Sequence, residues 1–93
     1  MKVTNASYIA ELVGTFFFVL TILASAGNPY IVGAALALVI ILIGGISGGS
    51  VNPAVSLAMF MQGALTPMEL AAYAGSQLVA GAGAAYTYNM LKA

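Results

Sequence analysis

The chain has 93 residues, of which 62% are hydrophobic and 4% are charged, and its formal net charge is zero. Soluble domains carry about 25% charged residues, so this composition excludes an ordinary water-soluble protein and predicts a multi-pass integral membrane protein. The chain has no Arg, Asp, His, Cys or Trp. Without those side chains we expect no enzyme, no metal site and no cofactor. The absence of a basic run argues against nucleic acid as a partner.

Three windows are long and apolar enough to cross a hydrocarbon core about 30 Å thick, which takes about 20 helical residues. They are residues 7–26, 30–46 and 68–91. Thr66 and Pro67 suit the cap and the first position of the third helix. The pattern predicts an all-α membrane protein with three transmembrane helices.

The first window has an alternative interpretation as a cleaved signal peptide. Lys2, an apolar run and the small residues 24–26 imitate such a peptide. The apolar run is too long for the hydrophobic region of a signal peptide, and Glu11 lies inside it. We therefore expect the window to remain as a membrane span.

Residues 47–63 form a segment between the second and third spans that is too short to cross the membrane. Its ten-residue run 53–62 would form a helix about 15 Å long, which reaches the bilayer midplane. Glycines at 44–50 allow close backbone packing before this run, and Gly63 is typical of a helix end. Irregular backbone at membrane depth must be buried in protein or line a water-filled cavity. We predict a re-entrant loop and a half helix that belong to a pore.

Asn52 and Pro53 fix the start of the half helix, because Asn is a preferred cap and Pro a preferred first residue. The free N–H groups and the helix dipole place roughly half a positive charge there. Such a site repels cations, while the Asn52 amide can donate hydrogen bonds to a neutral solute. Asn28 and Pro29 repeat the dipeptide, but a full span follows them and we interpret them as a turn.

The segment SGGSVNPAVSLAMF resembles the first Asn-Pro-Ala loop of the aquaporin and aquaglyceroporin (major intrinsic protein) family. AELVGTFFFV is similar to the first helix of that family, and GSQLVAGAGA is similar to its third helix. The similarity covers nearly the whole chain but only the first of the two inverted repeats of the family. It implies half of an aquaporin-like fold, with residues 1–93 as a single half-repeat.

The resemblance also implies roles for individual residues. Glu11 would hold the loop backbone through hydrogen bonds, and Gln77 would join helices and help to orient the loop. A neutral acid that only joins helices is the alternative for Glu11, although an ionisable group inside a span is a functional candidate by default. The implied central constriction is Asn52, Pro53 and Ala54, and the implied pore-lining loop is Gly48, Gly49, Ser50 and Val51.

The chain departs from the family pattern at three places. Ser50 stands where the family commonly has His. Val32 lies twenty residues before Asn52, where the family places a pore-narrowing residue that is often aromatic, and plain packing is the alternative for it. The outer filter of the family usually includes an Arg after a second Asn-Pro-Ala, whereas this chain has one such motif, followed by Val55. The implied filter is aliphatic and wider than a water-only filter.

The function that follows is a passive channel for water or small neutral solutes such as glycerol, formed by pairing two half-repeats. Three alternatives stay open. The chain could be a non-conducting subunit that assembles with full-length relatives and modulates them, a truncated fragment without function alone, or a small proton-coupled exporter that uses Glu11.

The balance of charges predicts how copies insert. Topology follows Lys and Arg near the span ends, and Lys2 and Lys92 lie at opposite ends of three spans. The bias is equal on both sides, so we expect copies to insert in both orientations and to pair antiparallel as a homo-oligomer. If the resemblance holds, four such pairs form a tetramer of pores.

Overall fold

The computed structural model describes residues 1–92, which form four helices and no strand. The helices are α1 (Asn5–Ala24), α2 (Pro29–Ser47), α3 (Pro53–Met61) and α4 (Pro67–Leu91). The predicted all-α class is confirmed. Residue 93, the last residue of the predicted half-repeat, lies outside the described residues.

Three of the four helices begin at a proline that follows a capping side chain. Asn28 Oδ1 accepts hydrogen bonds from two N–H groups in the first turn of α2, at 3.0 and 3.2 Å. Asn52 Oδ1 accepts from the Ala54 N–H at 2.7 Å. Thr66 and Glu69 cap α4 reciprocally, each side chain accepting from the backbone N–H of the other. These caps satisfy amides that have no partner inside the helix, and they set where each helix begins.

The half helix α3 ends within nine residues because the chain reverses at Gly63. This glycine has φ +82°, in the left-handed region that a residue without a Cβ adopts easily. Its N–H donates to the Phe60 carbonyl, and the Ala64 N–H donates to the Met59 carbonyl, both at 2.9 Å. This pair of bonds is a Schellman motif. It closes α3 at a length of about 14 Å.

Helix α1 lies between α2 and α4, and α3 packs against α4. Helices α1 and α2 are antiparallel, because Ser7 bonds to Ile46 near the end of α2 while Gly14, later in α1, lies against the earlier residue Val39. Helices α1 and α4 are parallel, because Tyr8 contacts Tyr73 and, further along both helices, Phe16 lies near Gly83. Hence α1 and α4 are parallel, α2 is antiparallel to both, and the loop and α3 lie toward the end of the bundle where α1 and α4 begin.

Two helices in the described part of the chain, α1 and α2, are long and apolar enough to cross a membrane. Only 11% of the apolar window of α2 is buried inside the protein, so nearly all of that helix is left for lipid or for another chain. Helix α4 has 25 residues, or about 37 Å, but does not reach the same hydropathy. We propose that it crosses as the third span, because it runs parallel to α1 along its length.

Gly14 sets the distance between α1 and α2. A Cβ at this position would lie 2.7 Å from Ile43 Cδ1, 3.0 Å from Val39 Cγ1 and 3.3 Å from Val51 Cγ1. The Ile43 methyl is the end of a flexible side chain and can move, whereas Val39 has a stiff side chain. Small residues allow such close approach between membrane helices. The seam between α1 and α2 therefore depends on the missing side chain.

We expect Gly14→Ile to destabilise the fold by about 1–3 kcal/mol through overpacking, and Gly14→Ala to have a smaller effect. The matched control is Gly33→Ala on α2, where a Cβ meets nothing within 4 Å. Unfolding of the detergent-solubilised protein by denaturing detergent, followed by circular dichroism, measures the effect. Equal unfolding midpoints for Gly14→Ile and Gly33→Ala would show that the packing of α1 against α2 does not need Gly14.

Candidate functional site

The carboxylate of Glu11 is fully buried, and four donors surround it. Oε2 accepts from the Ser47 hydroxyl at 2.6 Å and from the Ser50 N–H at 3.1 Å. Oε1 accepts from the Val51 N–H and from Gln77 Nε2, both at 2.8 Å. Two of the four donors are backbone amides of the re-entrant loop. Glu11 thus joins α1 to the end of α2, to the loop and to α4.

This arrangement satisfies loop amides that lie inside the membrane-spanning part of the protein. A buried backbone N–H without a partner costs as much as a lost hydrogen bond, and hydrocarbon offers no replacement. Hydrogen bonds to a charged acceptor contribute about 1.5–3 kcal/mol each. Glu11 is the eleventh residue of the chain yet determines the position of residues about 40 positions later.

The loop has a backbone conformation that only a strong anchor can hold. Gly48 and Gly49 have φ of +86° and +67°, and a Cβ at Gly49 would lie 3.3 Å from the Ile40 Cα. Val51 has φ +45°, which is a rare conformation for a β-branched residue. Such strain costs on the order of 1–3 kcal/mol. The hydrogen bond from the Val51 amide to Glu11 offsets it.

Four further polar residues hold the loop or the half helix, and the sequence reasoning did not identify them. The Tyr73 hydroxyl donates to the Ser47 carbonyl at 2.8 Å, and the Ser7 hydroxyl donates to the Ile46 carbonyl at 2.7 Å. These bonds pair carbonyls in the last turn of α2, which have no partner inside the helix. The four residues, all at most 1% exposed, are Ser7, Ser47, Ser56 and Tyr73.

One signal in the sequence was available for part of this cluster. Ser7, Glu11 and Thr15 follow one another at four-residue spacing in an otherwise apolar helix, so they share one face of α1. All three are at least 97% buried. Within the described residues, the Oγ1 of Thr15, the Oγ of Ser50 and the Oε1 of Gln77 have no hydrogen-bond partner.

The Asn-Pro-Ala segment presents its polar end away from the bundle. Asn52, Ala54 and Val55 are exposed, and Pro53 is half-buried. Asn52 Oδ1 is occupied by the Ala54 N–H, whereas its Nδ2 has no partner among residues 1–92. The hydrogen bond from Ala54 fixes the amide oxygen toward the first turn of α3. The nitrogen of the same amide is therefore also fixed and can donate to another group.

The other predicted site residues lie in two different environments. Gly49, Ser50 and Val51 are buried within the bundle as whole residues, and Gly48 is half-buried, so only Gly48 of the predicted pore-lining loop has an appreciable exposed surface in one copy. Val32 is half-buried in the first turn of α2, at the end away from the loop, while Val55 lies in the first turn of α3. Helices α2 and α3 do not pack together in the described part of the chain, so one copy does not bring the two valines into a ring.

No cofactor site stands out beside this cluster. The described residues contain no group of three or more His, Cys, Asp or Glu side chains that could hold a metal ion. The site consists of hydrogen-bond donors, hydrogen-bond acceptors and backbone.

Comparison with known proteins shows which family the chain resembles. The profile of the family described as Major intrinsic protein matches residues 2–93. The mouse (Mus musculus) protein Aquaporin-8 is 42% identical in an alignment that covers 78% of this chain and 32% of the mouse protein. The rice (Oryza sativa subsp. japonica) protein Probable aquaporin TIP4-1 is 37% identical over 77% of this chain and 36% of the rice protein. No solved structure matches.

A helical bundle whose described residues include two helices long and apolar enough to cross a membrane is consistent with an integral membrane protein. The chain belongs to the major intrinsic protein family. It spans about a third of the length of the relatives named above.

We expect Glu11→Gln to loosen the loop, because the amide replaces one accepting oxygen by a donor that opposes the loop N–H groups or Gln77. Loss of about 1.5–3 kcal/mol corresponds to exchange of the Ser50 and Val51 amide hydrogens that is about 10–100 times faster. Hydrogen exchange followed by mass spectrometry or NMR measures it.

The matched control is Glu69→Gln. Glu69 is the other carboxylate of the chain, and it caps α4 without touching the loop. Unchanged exchange in Glu11→Gln, or equal acceleration in both variants, would contradict the anchoring role.

Proposed function

We propose that the chain forms a passive channel for water and small neutral solutes such as glycerol, built by pairing two half-repeats. The observation that carries the proposal is the exposed Asn52 amide at the start of an anchored half helix. The relatives are named aquaporins, which supports a channel rather than an enzyme. The proposed central constriction is Asn52, Pro53 and Ala54.

The electrostatics of this position suit a neutral, hydrogen-bonding solute. The N-terminus of α3 carries roughly half a positive charge, which opposes a cation near the membrane centre. The free Nδ2 of Asn52 donates to an oxygen-bearing solute. Selectivity in such pores follows the diameter and the lining donors and acceptors. We therefore propose that water and glycerol pass and that sodium does not.

Pairing is proposed because one half helix reaches only about half of the membrane. Its outer face is apolar and uncovered, with Val55 44% exposed and Leu57 49% exposed. The polar Asn52 amide beside this face is unsuited to lipid. A second copy inserted in the opposite orientation would cover both the apolar face and the Asn52 amide. It would also bring Val55 of the second copy toward the level of Val32 of the first. Four such pairs would complete a tetramer of pores.

We expect Asn52→Leu to abolish most solute flux while the protein still inserts. The change removes the cap, at a cost of about 1 kcal/mol, and also removes the donor at the constriction. Asn28→Leu is the matched control, because it removes the same kind of cap before a proline on α2. Stopped-flow light scattering of vesicles that contain only this chain measures water and glycerol flux. Equal fluxes in the two variants would contradict a pore at Asn52.

We expect single cysteines placed beside Lys2 and beside Lys92 each to be labelled in part from outside intact cells. The balanced charges favour both orientations, and the chain has no native Cys that would add background. A membrane-impermeant maleimide gives the labelled fraction at each end. Labelling at one end only would rule out the antiparallel homodimer and favour a modulating subunit or a fragment.

A further inference from the structure

Among the helices of the described residues, the half helix packs only on α4. Helix α3 packs on α4, and Ser56 is its buried residue, with no exposed surface. The side chains on either side of it in sequence, Val55 and Leu57, are exposed. A single polar contact therefore lies at the centre of this seam.

The donor and the acceptor of this hydrogen bond can be assigned. Gln77 Nε2 lies 2.8 Å from Glu11 Oε1 and 2.7 Å from Ser56 Oγ. A carboxylate oxygen in this setting accepts, so the Gln77 atom that faces it is the amide nitrogen and not the amide oxygen. Both hydrogens of that nitrogen are then used, one for Glu11 and one for Ser56. Ser56 is therefore the acceptor.

We infer that Ser56 is a positioning residue for the proposed channel. Through Gln77 it connects the anchor at Glu11 to α3 and sets the rotation of the half helix about its own axis. Ser56 lies one turn after Asn52, and its N–H donates to the Asn52 carbonyl at 2.9 Å. The direction in which the exposed Asn52 amide points is thereby coupled to a carboxylate on another helix. The conduction part of this inference rests on the proposed function, and the geometric part does not.

Cysteine labelling of α3 in detergent tests the geometry. Val55 is exposed and Phe60 half-buried, and they lie about 140° apart around a helix with 3.6 residues per turn. In the parent, Val55→Cys should react with a water-soluble thiol reagent faster than Phe60→Cys. Adding Ser56→Ala should reduce the ratio of the two rates at least about threefold, because the helix is free to rotate.

Two further variants separate positioning from plain packing. Ser56→Thr keeps the accepting hydroxyl and should restore the ratio to within about twofold of the parent. Ser76→Ala, on α4 beside Gln77, removes a hydroxyl that makes no hydrogen bond among the described residues, and it should leave the ratio unchanged. If Ser56→Ala does not fold, Gln77→Met removes the donor from the other side and should give the same change. An unchanged ratio in the folded Ser56→Ala, or in Gln77→Met, overturns the inference.

The same variants in vesicles connect position to flux. Water flux per inserted protein should fall at least about threefold in Ser56→Ala and recover in Ser56→Thr. A parent that does not conduct would contradict the proposed function, while the labelling ratio in detergent would still decide the role of Ser56. A changed ratio with unchanged flux would overturn the conduction part alone.

Discussion

The structure depends on one buried carboxylate that accepts four hydrogen bonds. Burial of a polar group costs free energy unless it is hydrogen-bonded, and Glu11 has no exposed surface. Its donors come from the end of α2, from two loop amides and from α4. Without this acceptor, the strained backbone at Val51 would have no compensating bond, and the loop amides would be unpaired where water is absent. The position of the half helix is a consequence of this single group.

The two sides of the re-entrant segment have opposite character. The inner side is polar, with Ser47, Ser56, Tyr73 and Gln77 hydrogen-bonded around Glu11, while Ser50 Oγ and Gln77 Oε1 have no partner among the described residues. The outer side is apolar except for Asn52 at the start of α3 and Gln62 at its end, which are exposed. The hydrogen bonds therefore position the re-entrant segment. The surface that would face a solute or a second half-repeat, as proposed, carries few polar groups. This division suits a passive pore, because weak and sparse contacts let a solute leave as easily as it enters.

Local chemistry explains what the sequence predicted well. Asn28, Asn52 and Thr66, each followed by a proline, mark three helix starts, and Gly63 marks the reversal after α3. Capping depends on neighbours within a few residues, so it can be deduced from the chain alone. The roles of Ser7, Ser47, Ser56 and Tyr73 could not be deduced in this way, because serine and tyrosine are common in membrane helices and their partners lie 21 to 39 residues away. Packing also set the positive φ of Val51, against the preference of its side chain.

Every side chain that holds the loop belongs to the same half-repeat. Ser7 and Glu11 emerge first during synthesis, and Tyr73 and Gln77 emerge last, so the loop is fully held only after α4 is in place. Among the described residues, the loop and α3 are thus held by side chains of their own chain. If two half-repeats pair as proposed, the surfaces that meet are already ordered, which lowers the entropic cost of the encounter.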